Sequence, residues 1–380
     1  MELSEIREKI DAVDEQLLDL FLQRMDLSDE VAAYKNAHHL PILNKERERA
    51  ILAKVTEKSG ERERYAYHLF STLFELARSR QAELISAPTK VAAQVRASLE
   101  AGTSVFPQTG LVACQGVEGA NSQVACDRLL PRGNIVYVKT FQAVVSAVES
   151  GLCRFGVLPI ENSSTGSIRQ VYDLLAQYNY YVVGECQVKV EHCLMALPGV
   201  ALEDIHTVYS HEQGLMQCER YLDAHRGWRR VPTLDTAGSA KQVAESGDRT
   251  AAAICSRRAA QIYGLHILAE GVNYNAMNHT RFVVVSPVLE LRPGRNKISA
   301  VFRLPHQSGS LHEILTVFAV QGLNLLKIES RPIPGRGWEY LFFLDFTGDL
   351  AAPEMDGVLH ELGQLAAEFR ILGNFRGYEP

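Results

Sequence analysis

Arg24 stands where an apolar side chain belongs. Leu3, Ile6, Ile10, Val13, Leu17 and Leu20 recur at alternating spacings of three and four, and Leu27, Val31 and Tyr34 continue the stripe. Arg24 falls seven residues after Leu17 and three before Leu27, so a helical period turns its guanidinium toward the apolar face. Lys35 lies eleven residues on, close to three helical turns, which puts both cations on one side about 16 Å apart along the axis. Two later helical patterns contribute Arg47 and Glu48, and Gln81. A buried charge costs on the order of several kcal/mol unless it is paired. Two inward cations therefore call for carboxylates, supplied either by an internal acid such as Glu48 or by an anionic ligand. Forked guanidinium donors match planar carboxylates, so the chemistry on offer is the gripping of a small polyanion.

A second group of polar residues sits where short apolar runs give way to a helix or loop. They are Gly119-Ala120-Asn121-Ser122, the run from Pro159 through Glu161, Asn162 and Ser163 to Gly166, then Ser210-His211-Glu212-Gln213-Gly214, and Asn278-His279-Thr280-Arg281-Phe282. Any one of these reads first as a turn or helix cap. Four at strand ends also suit a ligand cleft, because α/β sheets collect ligands at the carboxyl ends of strands and helix N-termini there attract carboxylates. His211 is either a proton relay or simply hydrogen-bonded in place. Gly309-Ser310-Leu311 opens a further helical pattern, and Glu329-Ser330-Arg331-Pro332 follows a strand that begins at Leu323-Asn324.

The elements that must position these groups divide the 380 residues into several domains. Residues 1–87 read as all-helical, with a first helix ending near His39-Leu40-Pro41, a second over Asn44–Ser59 and a third over Arg62–Leu84. Three helices cannot bury so long a first helix, which predicts pairing with a second copy, as a dimer or tetramer. Residues 88–108 form a connector with one short helix. From 109 to 290, runs such as LVAC, IVYV and FGVLPI alternate with helical patterns, the mark of a parallel sheet wrapped by helices. The stretch YYVVGECQVKVEHCLMAL reads as a crossing between two lobes, and Ala259–Val285 as the return. Over 297–376 the order is βαββαβ, the ferredoxin-like arrangement.

Composition narrows the function classes. Hydrophobic residues make up 46% and charged residues 22%, the balance of a globular protein. A net charge of −6 without a basic run argues against nucleic acid as a partner. No apolar stretch reaches membrane-spanning length, and the alternating charges of MELSEIREKIDAVDE point to the cytosol. Seven scattered cysteines without a Cys-x-x-Cys pair, and twelve histidines without helical ligand spacing, indicate no metal site.

IREKIDAVDEQLLDLFLQR, Lys35 and the Lys-Glu-Arg-Glu-Arg run at 45–49 resemble the all-helical chorismate mutases over roughly residues 1–85. The resemblance implies that Arg7, Arg24 and Arg47 grip the substrate carboxylates, Arg7 being donated by the partner subunit. It also implies that Lys35 and Gln81 bind the ether oxygen and Glu48 the hydroxyl. Asn44 and Ala77 depart from the family pattern, which has an acid and a small hydroxyl there. Thr-Arg-Phe before Val-Val-Val, Pro-Ile-Glu-Asn-Ser and Tyr-Ser-His-x-Gln are similar to prephenate dehydratases over about 109–288. That implies a two-lobed α/β fold of the periplasmic-binding-protein kind. Thr280 would protonate the leaving hydroxyl, while Ser122, Glu161, Asn162, Ser163, Ser210, Gln213 and Arg281 bind or orient substrate. The loop at Gly116-Val117-Glu118-Gly119 departs from the family sequence, keeping its glycines. The βαββαβ segment with Gly309-Ser310-Leu311 and Glu329-Ser330-Arg331 resembles the ACT regulatory domain, implying a phenylalanine pocket, with Ser310 in place of the usual alanine. Together the resemblances imply a cofactor-independent enzyme converting chorismate to prephenate to phenylpyruvate, under feedback control by phenylalanine.

Overall fold

The computed structural model describes residues 2–85, 90–102, 106, 109–333, 335–337 and 339–377. The remaining stretches of the expected connector, 88–89, 103–105 and 107–108, lie outside the described residues. The chain divides into two compact units, residues 1–97 with 298–371 and residues 98–297 with 372–380.

The first unit opens with helix α1 (Leu3–Ala37), followed by α2 (Lys45–Ser59) and α3 (Glu63–Leu84). Glu2 and Glu5 form a reciprocal cap at the start of α1. The Asn44 side chain caps α2 by accepting from the Arg47 amide at 3.0 Å. Along α1 the predicted stripe stays open in the single chain: Leu3, Ile10, Leu17, Leu20 and Leu27 are all more than half exposed. Only near its C-terminal end does α1 bury residues, Ser28 and Ala32, against α3. A short helix α4 (Lys90–Glu100) follows.

The second unit begins with β1 (Leu111–Gln115), α5 (Asn121–Leu129), β2 (Asn134–Val138), α6 (Phe141–Glu149), β3 (Phe155–Asn162), β4 (Gly166–Ser167), α7 (Arg169–Gln177) and β5 (Tyr181–Lys189). Then come β6 (Cys193–Ala196), β7 (Thr207–His211), α8 (Glu212–Gln217), α9 (Glu219–Asp223), β8 (Arg229–Thr233), α10 (Thr236–Ser246), β9 (Ala251–Cys255), α11 (Arg257–Tyr263), β10 (His266–Ala269) and β11 (His279–Ser286). They form two sheets, ordered β2-β1-β3-β11-β5 with β4 on β3, and β10-β6-β9-β7-β8. The chain leaves the first sheet after β5 and returns from β10 through β11.

The sheets are mixed rather than parallel, which corrects one expectation. β11 runs antiparallel to both β3 and β5, because it returns from the other lobe instead of through a crossover helix. The Asn278–Phe282 cluster therefore lies at the amino end of its strand. Its reversed direction still brings it beside the carboxyl end of β3, with Thr280 opposite Asn162.

The C-terminal elements are β12 (Lys297–Arg303), α12 (Ser310–Val320), β13 (Leu325–Pro332), β14 (Tyr340–Thr347), α13 (Met355–Leu365) and β15 (Glu368–Phe375), with sheet order β13-β14-β12-β15. Within the first unit, α12 and α13 pack on α3. Gln321 Nε2 donates to Ser79 Oγ at 2.8 Å and to Glu83 Oε1 at 3.1 Å. Gly357 comes so near that a Cβ there would stand 3.2 Å from the Ala82 carbonyl oxygen.

Candidate active sites

The helical cage forms along α3. Lys35 Nζ donates to Gln81 Oε1 at 2.9 Å and to the Ile42 carbonyl, and Gln81 Nε2 donates to Ser28 Oγ at 2.9 Å. Arg24 reaches the Leu73 carbonyl at 2.9 Å and lies over the Phe74 ring. Burial holds both the Arg24 and the Lys35 pKa below their ordinary values, with Glu48 pulling each back upward. Glu48 itself is taken by Arg78 through contacts of 2.7 and 2.8 Å. The internal pairing of Arg24 with Glu48 is therefore not made. Arg78, unnoticed in the sequence although it falls four residues after Phe74 and four before Ala82 on the buried face of α3, is the direct partner of Glu48. Arg47 and Arg7 are exposed, and Arg7 is 17 residues, about 25 Å of helix, before Arg24.

The second site is a cleft of about 640 Å³ between the two sheets of the second unit. Its wall takes the first turns or caps of α5, α6, α7, α8 and α10, through Ser122, Thr140, Arg169, Gln213 and Thr236 among others. Helix N-termini carry partial positive charge and free amide donors, so their convergence favours an anion. Lys139 and Arg169 add full charges to the same wall.

Asn162 organises the floor. Its Oδ1 accepts from the backbone amides of Ser164 and Thr165 at 3.0 and 3.1 Å. Its Nδ2 is thereby fixed as the donor side, and it reaches Asn278 Oδ1 at 2.8 Å and Thr280 Oγ1 at 3.0 Å. The Thr280 hydroxyl accepts that bond and keeps its own proton for something in the cleft, which Thr280 lines.

Several anticipated contacts are absent from this wall. Strand alternation turns Thr280 and Phe282 into the cleft and Arg281 to the opposite face. There Arg281 Nε donates to Glu185 at 2.6 Å, with Lys297 on the same carboxylate at 3.0 Å. Glu161 pairs with Arg281 in register and lies 3.7 Å from it, off the cleft for the same reason. Ser210 is fully buried and donates to the Ile254 carbonyl at 2.7 Å. Ser163 clamps the loop before β11, accepting from His279 N at 2.9 Å and donating to Met277 O at 3.1 Å. His211 Nδ1 accepts from the Gln213 amide as the α8 cap. In the 116–123 loop the Gly119 amide is already held by Gln123 Oε1 at 2.7 Å. Gly119 has φ +89°, and a Cβ there would meet Ala259 at 3.1 Å.

Gln217 and His192 line the cleft and escaped the sequence reading. Gln217 lies one helical turn beyond Gln213, a spacing that had the signal; His192 sat unremarked within an apolar run.

A family model for chorismate mutase type II matches residues 6–82, and one for prephenate dehydratase matches residues 112–288. The bifunctional chorismate mutase/prephenate dehydratase of Escherichia coli (strain K12) is 31% identical over 376 residues, covering 97% of this chain and 94% of its own. The chain belongs to this bifunctional family. It is an enzyme of phenylalanine biosynthesis that rearranges chorismate to prephenate and dehydrates prephenate to phenylpyruvate. The dehydratase portion is also 41% identical over 278 residues to arogenate dehydratase/prephenate dehydratase 2 of Arabidopsis thaliana, covering 70% of this chain and 72% of that one. A solved prephenate dehydratase from Arthrobacter aurescens in complex with L-Phe matches at 30% identity and a TM-score of 0.64, over 70% of this chain and 89% of its own.

In the mutase the reaction is pericyclic, so a cage that holds one conformer and presents donors to the breaking C–O bond suffices; orientation alone is worth roughly 7–11 kcal/mol in favourable cases. In the dehydratase, aromatisation drives loss of hydroxide and carbon dioxide, and the cleft has to supply a proton and anchor two carboxylates.

Proposed function

We propose that Thr280 donates the proton to the departing ring hydroxyl of prephenate. The observation that carries this reading is the direction of the Asn162 bond, which fills the acceptor side of the Thr280 hydroxyl and leaves its hydrogen for the substrate. Gln213, Ser122, Lys139 and Arg169 anchor the carboxylates, with Gln217 as a further amide donor. Arg281 and Glu161 act from behind the sheet, stiffening β3 against β11 rather than touching substrate. Asn162→Ala tests this: dehydratase kcat should fall with KM little changed, and a variant that keeps its turnover overturns the assignment.

For the mutase, Arg24 and Arg47 hold carboxylates, Lys35 and Gln81 the ether oxygen, and Glu48 the hydroxyl after exchanging its bond to Arg78. Asn44 serves as the cap of α2. Arg7 reaches a site in a second copy, because the exposed α1 stripe supplies an apolar seam for a homodimer, or for dimers within a tetramer.

The C-terminal module serves as an ACT domain that binds phenylalanine and depresses dehydratase activity. Gly309 caps α12 at φ +92°, with the Ser310 amide donating to the Gln307 carbonyl at 3.3 Å, while Glu329, Ser330 and Arg331 lie on β13, the last strand at one side of the sheet. The Arthrobacter relative with bound L-Phe favours this reading. Calorimetry with phenylalanine tests it, and absence of binding sinks it. A cytosolic location completes the proposal; among the described residues no helix is long and apolar enough to cross a membrane.

A further inference from the structure

His192 takes no part in the reading above, yet it is a buried imidazole, 4% exposed, in the wall of the dehydratase cleft. Its Nε2 lies 3.0 Å from Gln217 Oε1, and Asn278 Nδ2 lies 3.0 Å from the same oxygen.

The polarity of this chain can be followed from unambiguous donors. Backbone amides of Ser164 and Thr165 fix which atom of Asn162 is oxygen. Asn162 Nδ2 then fixes Asn278 Oδ1, and Asn278 Nδ2 fixes Gln217 Oε1. The last member must donate, so His192 carries its proton on Nε2. Two donors on one carbonyl oxygen hold the Gln217 amide in a single orientation. Its Nε2–H groups are left toward the cleft, with no protein acceptor among the described contacts. A carboxylate ligand needs donors there, and a flipped amide would present a repelling oxygen.

We infer that His192 is a positioning residue for the dehydratase, the neutral donor that locks Gln217 so that its amide nitrogen faces the substrate. The inference rests on the dehydratase reading of the cleft. The chain is a fixed scaffold and not a proton wire, since its intermediate members are amides. His192 Nδ1 is buried without a hydrogen-bond partner, so a second proton on the ring would meet no acceptor. Burial accordingly holds the His192 pKa below its ordinary value, and the bond to Gln217 opposes that only in part. The ring's hydrogen-bond partner is a neutral amide, Gln217 of α8 on Nε2, and a second neutral amide, Asn273, accepts from the His192 backbone N–H at 3.0 Å.

The test is a double-mutant cycle in the full-length protein, with mutase turnover and thermal unfolding recorded as folding controls. His192→Leu should lower dehydratase kcat/KM by roughly tenfold, the worth of one oriented hydrogen bond. His192→Gln, whose terminal NH2 stands in for Nε2–H, should recover most of the loss. In a Gln217→Leu background, His192→Leu should add almost nothing, since there is no amide left to orient. Additive losses, or no recovery in the glutamine variant, overturn the inference. Should His192→Leu not accumulate as folded protein, His192→Asn replaces it in the cycle, because its shorter amide falls short of Gln217. Wild-type kcat/KM in that variant would equally overturn the inference.

Discussion

The mutase bundle and the dehydratase cleft handle their charges in opposite ways. In the cleft, Asn162, Asn278 and Gln217 each have their orientation dictated by a neighbour, back to two backbone amides, and the central strands β3, β6, β9 and β11 are buried along most of their length. In the bundle, Arg24 and Lys35 rest on main-chain carbonyls and a glutamine, Glu48 is held by Arg78, and the apolar stripe of α1 faces solvent. A site whose donors are already locked within one chain is ready for substrate. One whose apolar face is uncovered and whose Arg24 and Lys35 hold only carbonyls is completed, in the dimer proposed above, by a second copy and an anion. Three-helix segments leave too much of a 35-residue helix uncovered, whereas two sheets facing each other enclose a cleft unaided.

The contrast can be tested from its strongest consequence downward. Thr280→Val keeps the shape and removes the donor, so dehydratase kcat should drop on the order of 10²–10⁴-fold, with mutase turnover unchanged in the same preparation. Loss of both activities would show that the two sites are not independent. Arg24→Ala should mirror it, lowering mutase kcat/KM on the order of 10²-fold or more while added prephenate is still consumed at the normal rate.

Leu17→Glu places a charge in the exposed stripe. Light scattering should show dissociation, and mutase activity should fall with dilution while dehydratase activity holds. A variant of unchanged mass and full mutase activity would mean that α1 does not form the subunit seam. The smallest effect concerns the seam between α3 and α13. Glu361 is 5% exposed, and burial together with Glu75 and Glu83 pushes its carboxyl up to about 7, against the pull of Arg78 and a Ser79 hydrogen bond. A raised carboxyl favours the folded state below its unfolded value near 4.5 and loses that advantage as pH climbs through 7. Glu361→Gln should therefore be more stable than the parent by about 3 kcal/mol at pH 8. The difference should vanish near pH 4.5, as read by urea unfolding at both values. Equal stability at pH 8 would place that carboxylate in water.

The helices of the first segment were legible because period, proline and cap residues are local: Asn44 and Gly60 mark ends that the structure keeps within one residue, and α1 stops at Ala37, four residues before Pro41. The βαββαβ order was legible for the same reason. Arg24 was found because it interrupts an apolar stripe, and Thr280 and Asn162 because their motifs are distinctive. Arg78 and His192 stand in no distinctive motif, and their importance lies in partners 30 and 25 residues away.

Residue types and spacing by themselves determined the helical segment, the alternation of strands and helices, and the composition of the polar clusters, since these depend on neighbours within a few positions. Which face each cluster member takes was decided only by the tertiary structure. β11 returns antiparallel between β3 and β5, and that pairing alone puts Thr280 beside Asn162 in the cleft while turning Arg281 to Glu185 behind the sheet. Strand direction and register are set by long-range pairing, and no local period encodes them.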